Sequence, residues 1–116
     1  MIQGIGIDIV ELKRMERNVT QPRFIARVLT PKEQAQLENF PSEKRKLEYL
    51  AGRFACKEAY AKALGTGFTG VSFQELEILN DEKGAPQFTK HPFLGHAWVS
   101  LSHSDQWAVA QVILEK

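Results

Sequence analysis

Apolar and polar residues alternate over residues 2–10, and this period of two is typical of a β-strand. One face of the predicted strand carries isoleucines, and the other carries mostly small or polar residues. The first face holds Ile5, Ile7 and Ile9, and the second holds Gly4, Gly6, Asp8 and Val10. Because glycine has no side chain, the face with Asp8 leaves room for something to approach the backbone closely.

Helical spacing replaces this alternation after the first strand. Residues 11–18 look like the beginning of a helix, and residues 22–29 form an amphipathic segment. A further helix is predicted from Thr30 to Asn39, because its first residues, Thr-Pro-x-Glu, supply a cap, a first-turn proline and a capping-box glutamate. A Phe-Pro-Ser break then interrupts the pattern.

The longest helix is predicted from a cap at Ser42 to a glycine stop at Gly65. Its stretch from Leu47 to Leu64 is rich in Ala, Leu, Lys and Glu and lacks proline. Four apolar residues lie within about 80° of one another on this helix. They are Leu47, Ala51, Phe54 and Ala61. Glu58 projects into the middle of that apolar stripe.

The second half of the chain returns to the alternating period. Strands are predicted over residues 73–79, 86–89, 97–102 and 107–114. This order predicts a single α+β domain over residues 1–116, with one long helix packed on a small antiparallel sheet. Helices on one side of such a sheet leave its other face exposed. The apolar content of the last two strands suggests that self-association buries that face.

Glu58 is the residue that most needs an explanation. An ionised carboxylate in an apolar stripe is costly unless a cation, a metal or strong donors compensate its charge. Lys62 lies one turn later on the same side of the helix, so a structural Glu58–Lys62 ion pair is one explanation. A functional site is the other, and the helix alone does not decide between them.

The charge and cysteine content narrow the classes of function. A formal net charge of +1 argues against bulk nucleic-acid affinity. Residues 11–27 nevertheless hold five cations and two acids, which suits an acidic partner or a solvated helix face. The single cysteine, Cys56, excludes an intrachain disulfide and is expected to be a packing residue. The first residues lack a basic segment and carry Asp8 within their apolar run, so we expect no signal peptide and a cytoplasmic location.

Two motifs only imitate catalytic signatures. Residues 65–70 spell G-x-G-x-x-G, but a dinucleotide-binding loop follows a strand and opens a helix, whereas these glycines follow a helix. We interpret them as a helix end and a turn whose amides, that of Gly65 included, can contact a phosphate. Residues 102–105 have the composition of a hydrolase triad but are consecutive, so anion binding or an ordinary polar turn are the remaining interpretations. His91 and His96 lack metal-ligand spacing and are predicted to be surface residues.

Asp8 and Glu58 are the acids that the pattern places on elements that pack together. Two carboxylates with cations nearby suit a Mg²⁺–phosphate site, because Mg²⁺ binds one or two protein carboxylates together with waters and phosphate oxygens. Lys62 and Arg53 are the nearby cations. Arg53 lies roughly 140° around the helix from Glu58, so it would serve a neighbouring subunit's pocket more easily than the same one.

Three segments resemble the holo-[acyl-carrier-protein] synthase family, the short bacterial 4′-phosphopantetheinyl transferases. They are GIGIDI at residues 4–9, RFACKEA at residues 53–59 with Lys62 and Ala63, and SLSHS at residues 100–104. Their order and separations agree with the family across essentially the whole chain. The resemblance implies Mg²⁺-dependent transfer of the phosphopantetheine arm of coenzyme A to a serine hydroxyl of apo acyl carrier protein, for fatty acid biosynthesis. Adenosine 3′,5′-bisphosphate would be released. The 4′-phosphopantetheinyl transferase fold and a homotrimer with sites between subunits are also implied.

The resemblance further implies roles for individual residues. Asp8 and Glu58 would hold Mg²⁺, and Lys62 would contact the diphosphate. Glu58 is also the candidate base for the serine proton, acting directly or through a water. Other contacts to coenzyme A are implied for Lys44, Arg45, Arg53, Gly84, Ala85, Pro86, His103 and Ser104. Ala85 stands where a lysine is common in the family, although a backbone contact would survive that change.

The basic segment gains a partner from the same resemblance, because acyl carrier proteins are strongly acidic. Its arginines would steer and orient the carrier, and two apolar residues would add contact area. These residues are Arg14, Arg17, Arg23, Phe24, Ile25 and Arg27.

The sequence is also compatible with two other functions. A binding module could use the basic segment to hold an acidic protein or RNA, but RNA-binding sheets interleave aromatic residues with cations, and here the two are separated. A Mg²⁺-dependent phosphohydrolase would need the same carboxylates and no protein acceptor.

Overall fold

One long helix forms the centre of the computed structural model, which describes all residues from Met1 to Lys116. In chain order the elements are β1 (Ile2–Glu11), α1 (Pro22–Val28), α2 (Pro31–Glu38), α3 (Glu43–Leu64), β2 (Glu77–Asn80), β3 (Pro86–Lys90), β4 (His96–His103) and β5 (Trp107–Glu115). The central helix α3 packs against β1 and β5. The predicted α+β class and the long helix on a small antiparallel sheet are therefore confirmed.

The strands form two sheets rather than one. A three-stranded antiparallel sheet has the order β1-β5-β4, and a separate hairpin pairs β2 with β3. In the larger sheet, Asp8 of β1 lies opposite Ala110 of β5, in the half of β1 that leads to the first turn. The β2–β3 hairpin packs beside β4 instead of extending the sheet by hydrogen bonds.

Capping interactions explain where the two longer helices begin and end. At the start of α2, the Thr30 hydroxyl and the Glu33 carboxylate form the predicted capping box. The Ser42 hydroxyl accepts from the amide of Arg45 to cap α3, and Gly65 ends that helix with a φ of 87°. None of the helices has the length and apolar character that crossing a membrane requires.

Two predicted elements differ from the structure. Residues 11–18 do not begin an α-helix, because the chain forms short 3₁₀ turns at Leu12–Met15 and Asn18–Thr20. The strand predicted from residue 73 begins only at Glu77, because Phe73–Glu75 is another 3₁₀ turn. That turn is stabilised by a capping box in which Glu75 accepts from the Ser72 amide.

Close contact between β1 and α3 depends on two glycines. A Cβ atom on Gly6 would overlap the carbonyl oxygen of Ala59, and one on Gly4 would overlap that of Ala63. Any larger residue would therefore push the strand away from the helix. The close approach expected on the Asp8 face is thus made by the backbone of α3, and it brings Asp8 beside the C-terminal half of the helix.

A buried ion pair joins α3 to the segments that precede it. The Lys57 ammonium donates to Glu33 Oε1 at 2.6 Å and to the carbonyl oxygens of Val28 at 2.6 Å and Phe73 at 3.1 Å. Both charged side chains are fully buried. Burial lowers the pKa of Lys57, and the Glu33 charge opposes that shift. The contact to Val28 fixes the end of α1 against the helix turn that carries Glu58.

The outer face of the larger sheet is apolar and exposed. Ile5, Ile7 and Ile9 of β1 are each between 57% and 58% exposed, and Trp98 of β4 is 53% exposed. The residues on the opposite face of β1 pack on α3, as Val10 does at 2% exposure. The exposed apolar face expected from the sequence is therefore present, with the isoleucines of β1 as its main part.

Candidate functional site

Asp8 and Glu58 belong to one acidic site where β1 crosses α3. The Asp8 side chain is only 15% exposed, and Glu58 is half-buried on the turn of α3 that faces it. Burial raises the pKa of Glu58, and the negative charge of Asp8 raises it further, whereas Lys62 and Arg14 lower it. The two carboxylates are thus close enough to repel each other.

Lys62 pairs with Asp8 and not with Glu58. Its ammonium donates to Asp8 Oδ1 and to the carbonyl oxygen of Ile7, each at 3.0 Å. The Glu58–Lys62 ion pair considered from the sequence is not formed. The physical reason is that the close approach of β1 offers Lys62 a carboxylate and a carbonyl oxygen together.

The donor set at this site fits a magnesium ion. Mg²⁺ binds proteins through one or two carboxylates and keeps waters or phosphate oxygens in its remaining positions. Asp8 and Glu58 supply two carboxylates, and a cation between them would relieve the repulsion that raises the pKa of Glu58. No third His, Cys, Asp or Glu joins them, so an ion held here would need waters or phosphate oxygens as its other ligands.

A second site is a cavity of about 190 Å³ beside the N-terminal half of α3. The turn between β2 and β3 forms one wall, and the end of β4 forms another. Five of the residues predicted to contact coenzyme A line it: Arg45, Arg53, Gly84, Pro86 and His103. Two arginines and a histidine make this cavity suited to an anion.

Arg53 is a fixed part of the cavity wall. It is 2% exposed, and its guanidinium donates from Nε to the carbonyl oxygen of Ile78 at 2.7 Å and from Nη2 to Asn80 Oδ1 at 2.8 Å. Its Cζ also lies 4.3 Å from the centre of the Tyr49 ring. Its charge is directed into the cavity and not towards Glu58, as the helical spacing predicted.

The turn between β4 and β5 lies at the edge of this cavity. The Ser104 hydroxyl accepts from the amides of Gln106 at 3.3 Å and Trp107 at 3.2 Å, which closes the turn. Lys44 pairs with Asp105 at 3.2 Å, and both side chains are exposed. The nearest acid to His103 is Glu48, so residues 102–105 do not form a catalytic triad.

The other two backbone contacts predicted for coenzyme A are already engaged within the chain. The Gly65 amide donates to the carbonyl oxygens of Ala61 and Lys62, so it is not a free donor for a phosphate. The Ala85 amide donates to Asp81 Oδ1 at 2.9 Å, and its carbonyl accepts from the Asp81 amide at 2.8 Å. A carbonyl oxygen has two lone pairs, so Ala85 retains one acceptor position.

The basic segment lies next to the acidic site. Its four arginines, Arg14, Arg17, Arg23 and Arg27, are exposed. The positive charge of Arg14 lowers the pKa of Glu58, so this segment adjoins the carboxylates. The ring of Phe24 stacks on Phe54 with centroids 6.1 Å apart, which occupies part of its apolar surface. Ile25 is likewise half-buried.

The structure adds to the sequence interpretation at three other residues. Glu48, which the sequence interpretation missed, lines the cavity and accepts from Arg45 at 2.8 Å, a pairing that the i, i+3 spacing could have indicated. His91 is not a free surface residue, because its ring packs against Tyr60 and Phe88 and its Nδ1 is buried without a partner. Cys56 is fully buried, and burial raises the pKa of its thiol to about 12, as expected for a packing residue.

The two sites are far apart within one chain. Arg45 and Glu58 are thirteen residues apart on α3, which corresponds to about 20 Å along a helix. The cavity is lined by neither Asp8, Glu58 nor Lys62. Arg53 of the cavity stands closer, five residues or about 8 Å before Glu58, but no residue belongs to both sites in one protomer.

This combination of a central helix, a small sheet, an acidic site and a cavity lined by arginines matches a known class of enzymes. A model of the 4′-phosphopantetheinyl transferase superfamily matches residues 4–112 of the chain. The chain therefore belongs to this superfamily, within the family of the holo-[acyl-carrier-protein] synthases, as the relatives below establish.

Curated relatives and solved structures give the same family. The chain is 54% identical over its whole length to the holo-[acyl-carrier-protein] synthase of Exiguobacterium sp., covering 94% of that protein. It is 51% identical over 99% of its length to that of Streptococcus pyogenes, covering 98% of that protein. A crystal structure of the Bacillus anthracis synthase in complex with CoA (3′,5′-ADP) superposes with a TM-score of 0.91 at 44% identity, covering 98% of this chain and 96% of that one. The resemblance seen in the sequence is confirmed, and the chain is an enzyme of the phosphopantetheinyl transferase class.

Proposed function

We propose that this enzyme transfers the 4′-phosphopantetheine arm of coenzyme A to a serine hydroxyl of apo acyl carrier protein. The products would be holo acyl carrier protein and adenosine 3′,5′-bisphosphate, in service of fatty acid biosynthesis. The Bacillus anthracis and Helicobacter pylori relatives were solved with coenzyme A or its nucleotide. A cytoplasmic location fits the single buried cysteine, which forms no disulfide.

The cationic cavity is the observation that supports this proposal most. Arg45 and Arg53 offer charged donors, and His103 a ring N–H, in a pocket that is also bounded by Gly84 and Pro86, where a flat ring can lie against the backbone. A phosphohydrolase would need the carboxylates but has no use for a separate nucleotide pocket. A non-catalytic binding module would not explain the two carboxylates gathered beside Lys62.

The acidic site is where the transfer would take place. Asp8 and Glu58 would hold Mg²⁺, which when bound offsets negative charge on the diphosphate. Lys62 is 54% exposed and already lies against Asp8, so its ammonium can move to a phosphate oxygen over a short distance. Glu58 is the candidate acceptor of the serine proton, and it would act through a water, because a carboxylate that holds a metal is a weak base when it acts directly.

Assembly of the chain would join the two half-sites. We propose a homotrimer in which the exposed apolar face of the sheet, with Ile5, Ile7 and Ile9, is buried between subunits. The cavity of one subunit would then lie beside the acidic site of its neighbour, and one coenzyme A molecule would contact both. A solution mass three times that of the chain is expected by light scattering, and a monomer would contradict this arrangement.

Mass spectrometry of the carrier tests the transfer directly. The enzyme is incubated with coenzyme A, Mg²⁺ and an apo acyl carrier protein, and the intact carrier is then weighed. A gain equal to one phosphopantetheine group is expected. An unchanged carrier with every divalent metal tested would overturn the transferase proposal, and release of phosphate without carrier modification would favour a phosphohydrolase.

Charge reversal in the basic segment should weaken carrier binding selectively. For Arg23→Glu we expect the KM for the carrier to rise about tenfold at low salt, because an exposed charge that steers an acidic partner is lost. The KM for coenzyme A should stay unchanged. Arg14→Glu should have the same effect and also lower kcat, because the Arg14 charge reaches Glu58.

Lys32→Glu provides a matched control, since Lys32 is an exposed cation on α2 outside the segment. Steady-state kinetics with each substrate varied in turn would measure these effects. Equal changes in both KM values for Arg23→Glu, or an equal loss for Lys32→Glu, would remove the docking role.

A further inference from the structure

Glu48 is an acid in a cavity whose other charged groups are cations. It stands on α3 one turn after Arg45, and its side chain is only 8% exposed. One carboxylate oxygen, Oε1, accepts from Arg45 Nη1 at 2.8 Å, and the other, Oε2, lies 3.6 Å from His103 Nδ1. In a pocket that binds phosphates, a carboxylate repels the ligand, so its presence requires a compensating effect.

The compensating effect is the contact that Glu48 makes with two neighbouring side chains, Arg45 and His103. The side chains of Arg45 and His103 are 47% and 40% exposed, and Glu48 is the one side chain that pairs with each of them. Beyond that, Arg45 only lies over the ring of Phe40, 5.0 Å from its centre. Arg53 differs, because a carbonyl oxygen, an amide and an aromatic ring hold it without Glu48.

We propose that Glu48 is a positioning residue that holds Arg45 and His103 in the orientation in which they receive the phosphates of the nucleotide. This inference rests on the proposed function, because it assigns the cavity to the nucleotide part of coenzyme A. Long cationic side chains lose conformational freedom when they bind a ligand, and a partner that orders them beforehand reduces that cost. The ordering outweighs the repulsion because one carboxylate oxygen faces Arg45 and the other faces His103.

The direction in which one substitution changes nucleotide affinity distinguishes a positioning role from simple electrostatics. Glu48→Ala removes a negative charge from an anion site, so charge alone would tighten nucleotide binding. If Glu48 positions its neighbours, the same change should weaken binding of adenosine 3′,5′-bisphosphate about tenfold. Isothermal titration calorimetry with that nucleotide measures the effect and needs no carrier protein. Tighter or unchanged binding by Glu48→Ala would overturn the inference.

Two further variants control the experiment. Glu48→Gln retains an acceptor for Arg45 without the charge, so its affinity should lie between those of the native enzyme and Glu48→Ala. Glu43→Ala removes the same charge from an exposed position on the first turn of α3 and should bind the nucleotide like the native enzyme. If Glu48→Ala does not fold, as judged by circular dichroism, Glu48→Gln decides: affinity equal to or above that of the native enzyme would contradict the inference.

Kinetics provide a second measurement. Glu48→Ala should raise the KM for coenzyme A while kcat changes by no more than about twofold, because the neighbours that Glu48 orders contact the nucleotide and are not among the carboxylates of the acidic site. A fall in kcat with an unchanged KM would contradict a positioning role. Failure of the proposed function itself would be seen separately, because the carrier would then gain no mass with the native enzyme. A native enzyme that binds no nucleotide would overturn the assignment of the cavity.

Discussion

Replacing either carboxylate of the acidic site by its amide should reduce phosphopantetheine transfer by more than about 100-fold, because a metal ligand is lost in each case. Asp8→Asn and Glu58→Gln keep the size and shape of the side chains. Asp8→Asn also keeps an oxygen that can accept from Lys62. The loss would therefore report the missing negative charge and not a disrupted contact.

Transfer rates, Mg²⁺ titration by calorimetry and circular dichroism should be measured together on these variants. We expect weaker Mg²⁺ binding and an unchanged fold for both. Glu38→Gln, at the exposed end of α2, is the matched control and should be as active as the native enzyme. Unfolding of Glu58→Gln would point instead to a structural carboxylate, and full activity of either amide variant would exclude a metal site at these residues.

Two inactive variants should restore activity when their chains assemble together, if each site is built from two subunits. Glu58→Gln disables the acidic half-site and leaves the cavity intact. An Arg45→Glu, His103→Ala chain disables the cavity and leaves the acidic half-site intact. In any cyclic trimer that contains both chains, about one site in three has both halves native, so the mixed assemblies should show about a third of the native activity.

The pair Asp8→Asn and Glu58→Gln is the control for this experiment, because both chains lack the same half-site. Their mixture should stay inactive at every ratio. Co-expression of differently tagged chains, followed by purification on both tags, isolates the mixed assemblies for the transfer assay. Inactive mixed assemblies of the first pair would show that each site lies within a single chain.

The helix ends and most strands could be predicted because their signals are local. A hydroxyl at Ser42, a glycine at Gly65 and the Thr30–Glu33 box act within one turn of the chain. The 3₁₀ turn at residues 73–75 had a comparable signal, since Ser72 and Glu75 have capping-box spacing, but the alternating pattern led to a longer strand. Local signals were therefore sufficient to place these helix ends, and the Ser72–Glu75 spacing would also have placed the 3₁₀ turn.

The contacts within the site were harder to predict because they join distant parts of the chain. Helical spacing favoured Lys62 as the partner of Glu58, but it could not reveal that β1 brings Asp8 within 3.0 Å of that lysine. The buried Lys57–Glu33 pair joins two helices through side chains with no shared pattern. The family resemblance supplied five of the ten residues that line the cavity, and it did not supply Glu48.

The contact of Gly4 and Gly6 with the backbone of α3 has a consequence for how the enzyme can change over time. The separation between β1, which carries Asp8, and α3, which carries Glu58, is set by main chain lying on main chain at these two glycines. Core substitutions elsewhere can therefore accumulate without altering the distance between the two carboxylates. The same arrangement tolerates no residue larger than glycine at position 6, since even one added methyl group would overlap the Ala59 carbonyl oxygen and widen the gap between the two carboxylates.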